Sequence, residues 1–251
     1  MIVSRVVTVA GLRIIASAVC AMAMSGQTIT GLPDVGLSLS GDPGQPLLRN
    51  NAERRVIVYT IRFSILRNGN PFTISRCLSA LLNMRNQLSD EITVPPNGER
   101  SIAMAGRPGD VIQSVSLDAA IFEDGEIVGP DSTNTSDRIA ARIQAERDLG
   151  DMVLAKGVGN QDRTSLWTAV HEVANAGPRN TVLPHAQNHE EIPAERALHL
   201  PSDAKEYARI YREQQMSYAT ELSSVQQKAG DVFAIDLASR SVGYPSLWRR
   251  K

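Results

Sequence analysis

Two runs of alternating apolar and polar residues dominate the first half of the chain. Between Val111 and Ile121 the odd positions are apolar except for Gln113, whereas Ser114, Ser116 and Asp118 occupy even ones. Alternation at period two marks a strand with one buried face. An earlier run, Val56 to Leu66, sets Ile57, Tyr59, Ile61, Phe63 and Ile65 against Thr60, Arg62 and Ser64. The later strand runs into Asp124-Gly125, a pair that tolerates the positive φ of a two-residue type I′ turn. Such a turn places Phe122 opposite Ile127 and Ile121 opposite Val128. Both faces near its tip are then apolar, one closing a β core and the other open to the helices that follow.

Turn clusters punctuate the rest of this half: Asn68-Gly69-Asn70-Pro71 and Pro95-Pro96-Asn97-Gly98. Phe72 to Leu88 fits either a strand or a helical turn, while Ile92 to Val94 and Ser101 to Ala105 resume β character. Residues 26–50, rich in Gly, Pro, Ser and Asp, read as an exposed lead-in with one edge strand near Val35 to Leu39. Strands and turns succeeding one another over 51–131 predict an antiparallel sandwich of immunoglobulin-like type. Beyond Asp131 the period changes to 3.6. Residues 133–137 offer N-caps for a helix ending at Gly157, and a second helix runs from Asp162 to the stop at Gly177-Pro178. A polar connection over 179–201 leads to Ser202, the expected cap of the longest helix, which ends at Ala229-Gly230. Val232 to Leu237 is a last apolar piece before a basic tail. The predicted class is α+β: an antiparallel immunoglobulin-like β-sandwich followed by a helical region over 132–251.

Residues 1–25 read as an export signal. No acidic residue precedes Asp34, Arg5 and Arg13 make the segment positive, and Ile14 to Met22 is apolar. That run falls short of the roughly 20 residues that span a bilayer. Small residues at Ala21 and Ala23, or Ala23 and Ser25, suit cleavage. The alternatives are a retained anchor, although Arg13 splits it, and a lipid on Cys20, although Val19 stands where a lipobox takes Gly or Ala. The expected location is secreted or periplasmic, with no membrane span after cleavage. The leader holds two of the 26 basic residues and none of the 27 acidic ones, which leaves the remainder near −3. A mildly acidic chain with four Phe and two Trp offers no basic, aromatic-studded face for nucleic acid. Cys77 alone survives cleavage, so no internal disulfide forms. Its apolar setting, TISRCLSALL, predicts a buried, inert thiol.

Three groups have the residue types of a metal site. His171-Glu172-Val173-Ala174-Asn175 comes within one residue of the H-E-x-x-H zinc signature, but Asn175 stands where the second imidazole belongs, and an exposed helix face explains the segment. His185 and His189, followed by Glu190, have i,i+4 spacing that would chelate zinc or copper on a helix, yet Pro184 and Pro193 favour a polar loop. Glu123, Asp124, Glu126 and Asp131 crowd the hairpin tip without the spacing of a calcium loop. No metal or other cofactor is expected.

Asp118, Ile121, Phe122, Asp124, Gly125, Gly129, Pro130 and Asp131 form a pattern that resembles a segment in uncharacterised exported proteins of soil bacteria, acidobacterial ones in particular. The resemblance covers the hairpin and, loosely, the β segment beside it. It implies an exported protein with a β-rich domain followed by helices, and it carries no activity. The sequence therefore favours a non-enzymatic exported module for an unknown protein or envelope partner. The competing readings are a metal-dependent hydrolase built on His185 and His189, with His171 in support, and a small-ligand carrier with a pocket between sheets and helices.

Overall fold

The computed structural model describes residues 27–81, 92–104, 106–157, 163–175 and 196–250. The expected export signal lies outside them. The strands are β1 (Thr28–Thr30), β2 (Leu37–Asp42), β3 (Gln45–Asn50), β4 (Val56–Arg67), β5 (Asn70–Ser79), β6 (Glu99–Ser101), β7 (Asp110–Phe122) and β8 (Ile127–Val128). There follow α1 (Thr135–Gly157), α2 (Arg163–Asn175), β9 (Arg196–Leu198), α3 (Ala204–Ala229), α4 (Asp231–Val242) and β10 (Trp248–Arg250). The class is α+β. One sheet has the order β1-β7-β4-β5 with β8 on β7, a second has β2-β3-β6, and β9 and β10 form a ribbon. All pairs are antiparallel except β1 with β7.

The two larger sheets face each other across one apolar cluster. Leu37, Leu39 and Leu48 of the smaller sheet meet Tyr59, Ile61, Phe63, Ile65, Val115 and Leu117 of the larger one. Each such side chain, taken fully out of water, contributes about 1.5–3 kcal/mol. The expected lead-in over 26–50 is therefore corrected. Its Gly, Ser and Asp content signals exposure, but Leu37 and Leu48 alternate with polar residues and are wholly buried.

Bulges explain why the alternation along β7 does not describe one face. Ser64 pairs with Ser114 but Ile65 with Ile112, and Thr60 pairs with Ala119 but Ile61 with Leu117. Gln113 and Asp118 are thus extra residues, and each resets the parity of the strand. Val111, expected inside, is 53% exposed, whereas Ala120 and Phe122 continue the core. Ile121 is turned to the opposite face, where it joins Ile57, Val58, Ile139 and Ile143 in a second cluster that seats α1 on the sheet.

The hairpin tip also differs from the expected type I′ turn. Gly125 N–H donates to the Phe122 carbonyl at 2.9 Å and Phe122 N–H to the Glu126 carbonyl at 3.0 Å, and Ile121 pairs with Ile127. Gly125 has φ +88°, while Asp124 keeps a negative φ. The loop is Glu123-Asp124-Gly125, a three-residue connection closed by a bulge at the glycine. A Cβ on Gly125 would run into the Ser246 carbonyl, so the C-terminal segment also requires glycine here.

The helices pack on one another through Leu149, Val153, Leu166, Trp167, Tyr218, Leu222, Ala234 and Ala238. Asp203, not Ser202, caps α3, accepting from the Lys205 and Glu206 amides. The basic tail is strand β10. Trp248 bridges to Glu126 in parallel fashion, and its ring N–H donates to the Asp124 carbonyl at 3.0 Å. No helix among the described residues is long and apolar enough to cross a membrane.

Candidate functional site

The face of the larger sheet turned away from the shared core is apolar where Ile57, Val58 and Ile121 seat α1, and polar beyond that contact. Because Ile29, Phe63, Ile74 and Val115 point into that core, their neighbours along each strand point out of it. Register then aligns two ranks across four strands. One reads Thr28, Ser114, Ser64, Thr73; the other reads Thr30, Ser116, Arg62, Ser75. At the usual strand spacing each rank runs about 15 Å, and the two stand about 7 Å apart. Thr28, Thr30, Thr73 and Ser75 are exposed, and the inner four are half-buried.

Helix α1 crosses this face just beyond the second rank. Thr135 at its start meets Thr60 at 2.8 Å between hydroxyls, and Thr60 is the cross-strand partner of Cys77 on the outer strand β5. Arg138 and Arg142 lie three and seven residues past Thr135, on the same flank of the helix. Their charges reach the Cys77 thiol. Although Cys77 is exposed, the packing of neighbours around the thiol raises its pKa, and the hydrogen bond with Thr60 and the charges of Arg142 and Arg138 hold that rise back. The thiol is therefore neutral near pH 7. The expected buried position of Cys77 is corrected: Leu78 and Ile74 pack inward and leave Cys77 on the outer face.

A ledge results, bounded by Arg62, Arg138, Arg142, Ser75 and Cys77. Its three cations lack carboxylate partners among the described residues. Arg62 donates only to the Ser132 hydroxyl, at 2.9 Å. Arg138 is exposed, and its charge acts on Glu206, which is hydrogen-bonded to Arg209. Arg142 is half-buried beside a cavity of about 10 Å³ lined with Leu81, Ile139, Tyr244 and the buried Glu146, whose carboxylate accepts from Gln214 and Tyr244. Elsewhere Arg49, Arg54, Arg67, Arg209, Arg240 and Arg250 each sit in an ion pair.

Buried carboxylates hold the ledge in place and are themselves saturated. Asp118 accepts from the amides and hydroxyls of both Ser132 and Thr133, at 2.5–3.1 Å. Burial pushes this carboxyl up, and those hydrogen bonds outweigh burial and leave it below the ordinary range. Asp131, at φ +53°, accepts from the Thr135 and Ser136 amides and meets Arg249 at 3.1 Å. The positive end of α1 is thus already capped, and the ledge draws its charge from the arginines.

A His–Asp pair lies nearby: His199 Nε2 is 2.6 Å from Asp137 Oδ1. Nucleophilic catalysis needs a hydroxyl on the imidazole, but Ser202 donates to Asp137 instead, at 2.5 Å. Asp137 is buried, and hydrogen bonds from Ser202 and His199 overcome the desolvation that would raise it, so it stays ionised. The trio fastens the segment before α3 to the start of α1.

Of the metal candidates, His171 is half-buried on α2, and the Asn175 amide donates to the His171 carbonyl at 2.8 Å rather than facing its ring. His185, His189 and Glu190 lie outside the described residues. Asp124 and Glu126 are engaged by Arg54, and Glu126 also by Arg250, which meets it at 2.5 Å. No group of three or more His, Cys, Asp or Glu suited to a metal ion occurs among the described residues. Sequence reading missed the ledge, because Arg62, Cys77 and Arg138 meet only through sheet register and helix docking. No family model, curated protein or solved structure matches the chain.

Proposed function

We propose that this chain is an exported, non-enzymatic binding module: an immunoglobulin-like sandwich, braced by helices, that engages an envelope or extracellular partner through the outer face of its larger sheet. One observation carries the reading. Arg62, Arg138 and Arg142 gather beside ranks of exposed and half-buried hydroxyls, and none of the three sits in an ion pair among the described residues. Solvent satisfies a single exposed guanidinium, but three gathered without ion pairs make a cationic patch that an anionic partner would complement. The support is physical and local to the ledge, with the N-terminal leader pattern as the argument for export.

The test is cosedimentation of the full chain with envelope fractions of the expressing cell. Saturable retention that falls in the Arg62→Gln/Arg138→Gln/Arg142→Gln variant, with unchanged melting temperature, supports the reading. Retention equal in both proteins, or none in either, overturns it.

A further inference from the structure

We infer that the partner recognised at this face is an acidic polysaccharide, its anionic groups held by Arg62, Arg138 and Arg142 and its hydroxyls by the two Ser/Thr ranks. The inference rests on the binding-module reading and adds the chemistry of the ligand. Charge complementarity points to an anion. Guanidinium groups offer forked donors that fit carboxylate, sulfate and phosphate oxygens, and here none of the three is in an ion pair among the described residues, with Glu146 beside Arg142 and Glu206 near Arg138 both held by other groups.

The second observation is independent of charge and selects the kind of anion. From the arginines the face continues as Thr73, Ser64, Ser114 and Thr28 in one rank and Ser75, Ser116 and Thr30 in the other. A hydroxyl both donates and accepts, so a row of them matches a polymer that itself carries rows of hydroxyls. A rank of about 15 Å is the length of about three sugar units, and strand spacing keeps the row extended. A free inorganic anion would use the arginines alone. An acidic peptide offers the ranks only one backbone donor and one acceptor per residue, and a layer of phosphatidic acid headgroups offers no sugar hydroxyl, against several hydroxyls on each sugar unit.

Asp118 and Thr133 fix the loop that presents Ser132 to Arg62, and Asp131 fixes α1 and hence Arg138 and Arg142. The backbone that carries the cations is therefore fixed before a ligand arrives, which confines the ordering cost of binding to the arginine side chains.

Calorimetric titration of the full chain at constant ionic strength tests this with four probes: polygalacturonate, neutral dextran, polyglutamate, and vesicles containing phosphatidic acid. Polygalacturonate is expected to bind at least about tenfold more tightly than each of the others, since dextran lacks the charge and polyglutamate and vesicles lack the sugar hydroxyls. Arg138→Gln/Arg142→Gln is expected to weaken polygalacturonate about tenfold. Thr73→Val/Ser75→Ala, which keeps every charge, should weaken it about fivefold and leave polyglutamate unaffected. Bound polymer should also slow maleimide labelling of Cys77, located by peptide mapping. Polyglutamate or vesicles binding as tightly as polygalacturonate would overturn the inference, as would unchanged affinity in the hydroxyl variant. If envelope retention still depends on the arginines in that case, the binding-module reading stands and only the glycan falls; if retention is lost as well, both fall.

Discussion

Arg54 is the keystone of the hairpin tip, and its removal is a quantitative test of how that tip is held. Glu126 is 1% exposed and lies between Arg54, 28% exposed, and Arg250, 68% exposed. Arg54 also meets Asp124 at 2.8 Å, and its guanidinium carbon sits 4.1 Å from the centre of the Phe122 ring. Removing one partner of a buried pair costs about 3–5 kcal/mol when the other charge is left stranded. Arg250 still reaches Glu126, but a solvated arginine compensates by at most about 1 kcal/mol. Loss of the ring contact adds about 0.5–1 kcal/mol. Arg54→Ala is therefore expected to destabilise the protein by about 3 kcal/mol. In a Glu126→Gln background the stranded charge is gone, and the same substitution should cost about 1 kcal/mol, leaving a coupling near 2 kcal/mol. The assay is urea unfolding of the four proteins, followed by Trp fluorescence, which Trp248 makes sensitive to this corner, and by far-ultraviolet circular dichroism for the whole fold. Midpoints from both probes should coincide and the slope should hold constant, so that the shift reports stability alone. A loss below about 1 kcal/mol for Arg54→Ala, or no coupling to Glu126, would refute the reasoning.

Further expectations follow from other contacts. Asp110 is held down to about 2 by its two hydrogen bonds from Arg67, with the Arg107 amide in support. A depressed carboxyl stabilises the fold above its ordinary pKa and loses that contribution as pH falls toward 2, so Asp110→Asn should flatten the acid limb of the stability profile between about pH 4 and 2. An unchanged acid limb would remove Arg67 from that role. The Tyr59 hydroxyl is buried without a hydrogen-bond partner among the described residues, so Tyr59→Phe should leave stability unchanged or raise it by about 1 kcal/mol, and a loss above about 1 kcal/mol in urea unfolding would show that the hydroxyl is satisfied. Gly125→Ala meets both a left-handed backbone and the Ser246 carbonyl. It should cost more than about 2 kcal/mol, read as a lowered melting temperature, and a neutral outcome would mean that the C-terminal segment does not sit on the tip.

Much of the fold was legible because local patterns and tertiary packing agree. The stripes that seat α1 and α3, the glycine that ends α1 and the one that follows α3, and the alternation along β4 all point to the elements that form. What was not legible depends on pairing. The bulges at Gln113 and Asp118 are invisible in β7 alone, since an extra residue is defined only against β4. The same holds for the tip: Asp124-Gly125 signals a turn, but the length of the loop is set by whether one or two residues take positive φ, and only Gly125 does. The expected lead-in fails for a related reason. Leu37 and Leu48 are few among polar residues, yet a short two-sheet core needs few from its smaller sheet.

The ledge was hidden in a deeper sense. Arg62, Ser75, Cys77 and Arg138 are separated by up to 76 positions and lie on three elements, so no spacing rule links them. What joins them is the bulge at Asp118. The extra residue turns Ile121 outward to meet Ile139 and Ile143, and it gives Asp118 the position from which it holds Ser132 and Thr133. That seats the start of α1 over Thr60 and brings Arg138 and Arg142 to the edge strand. One irregularity in one strand thus serves both packing and surface chemistry. Asp118→Ala should accordingly loosen the ledge as well as the fold. Its four hydrogen-bond donors would lose their acceptor, which costs on the order of 3 kcal/mol. Cys77 should then react faster with maleimide than the loss of global stability explains. Labelling that tracks global unfolding alone would show that Asp118 supports the fold without positioning the arginines.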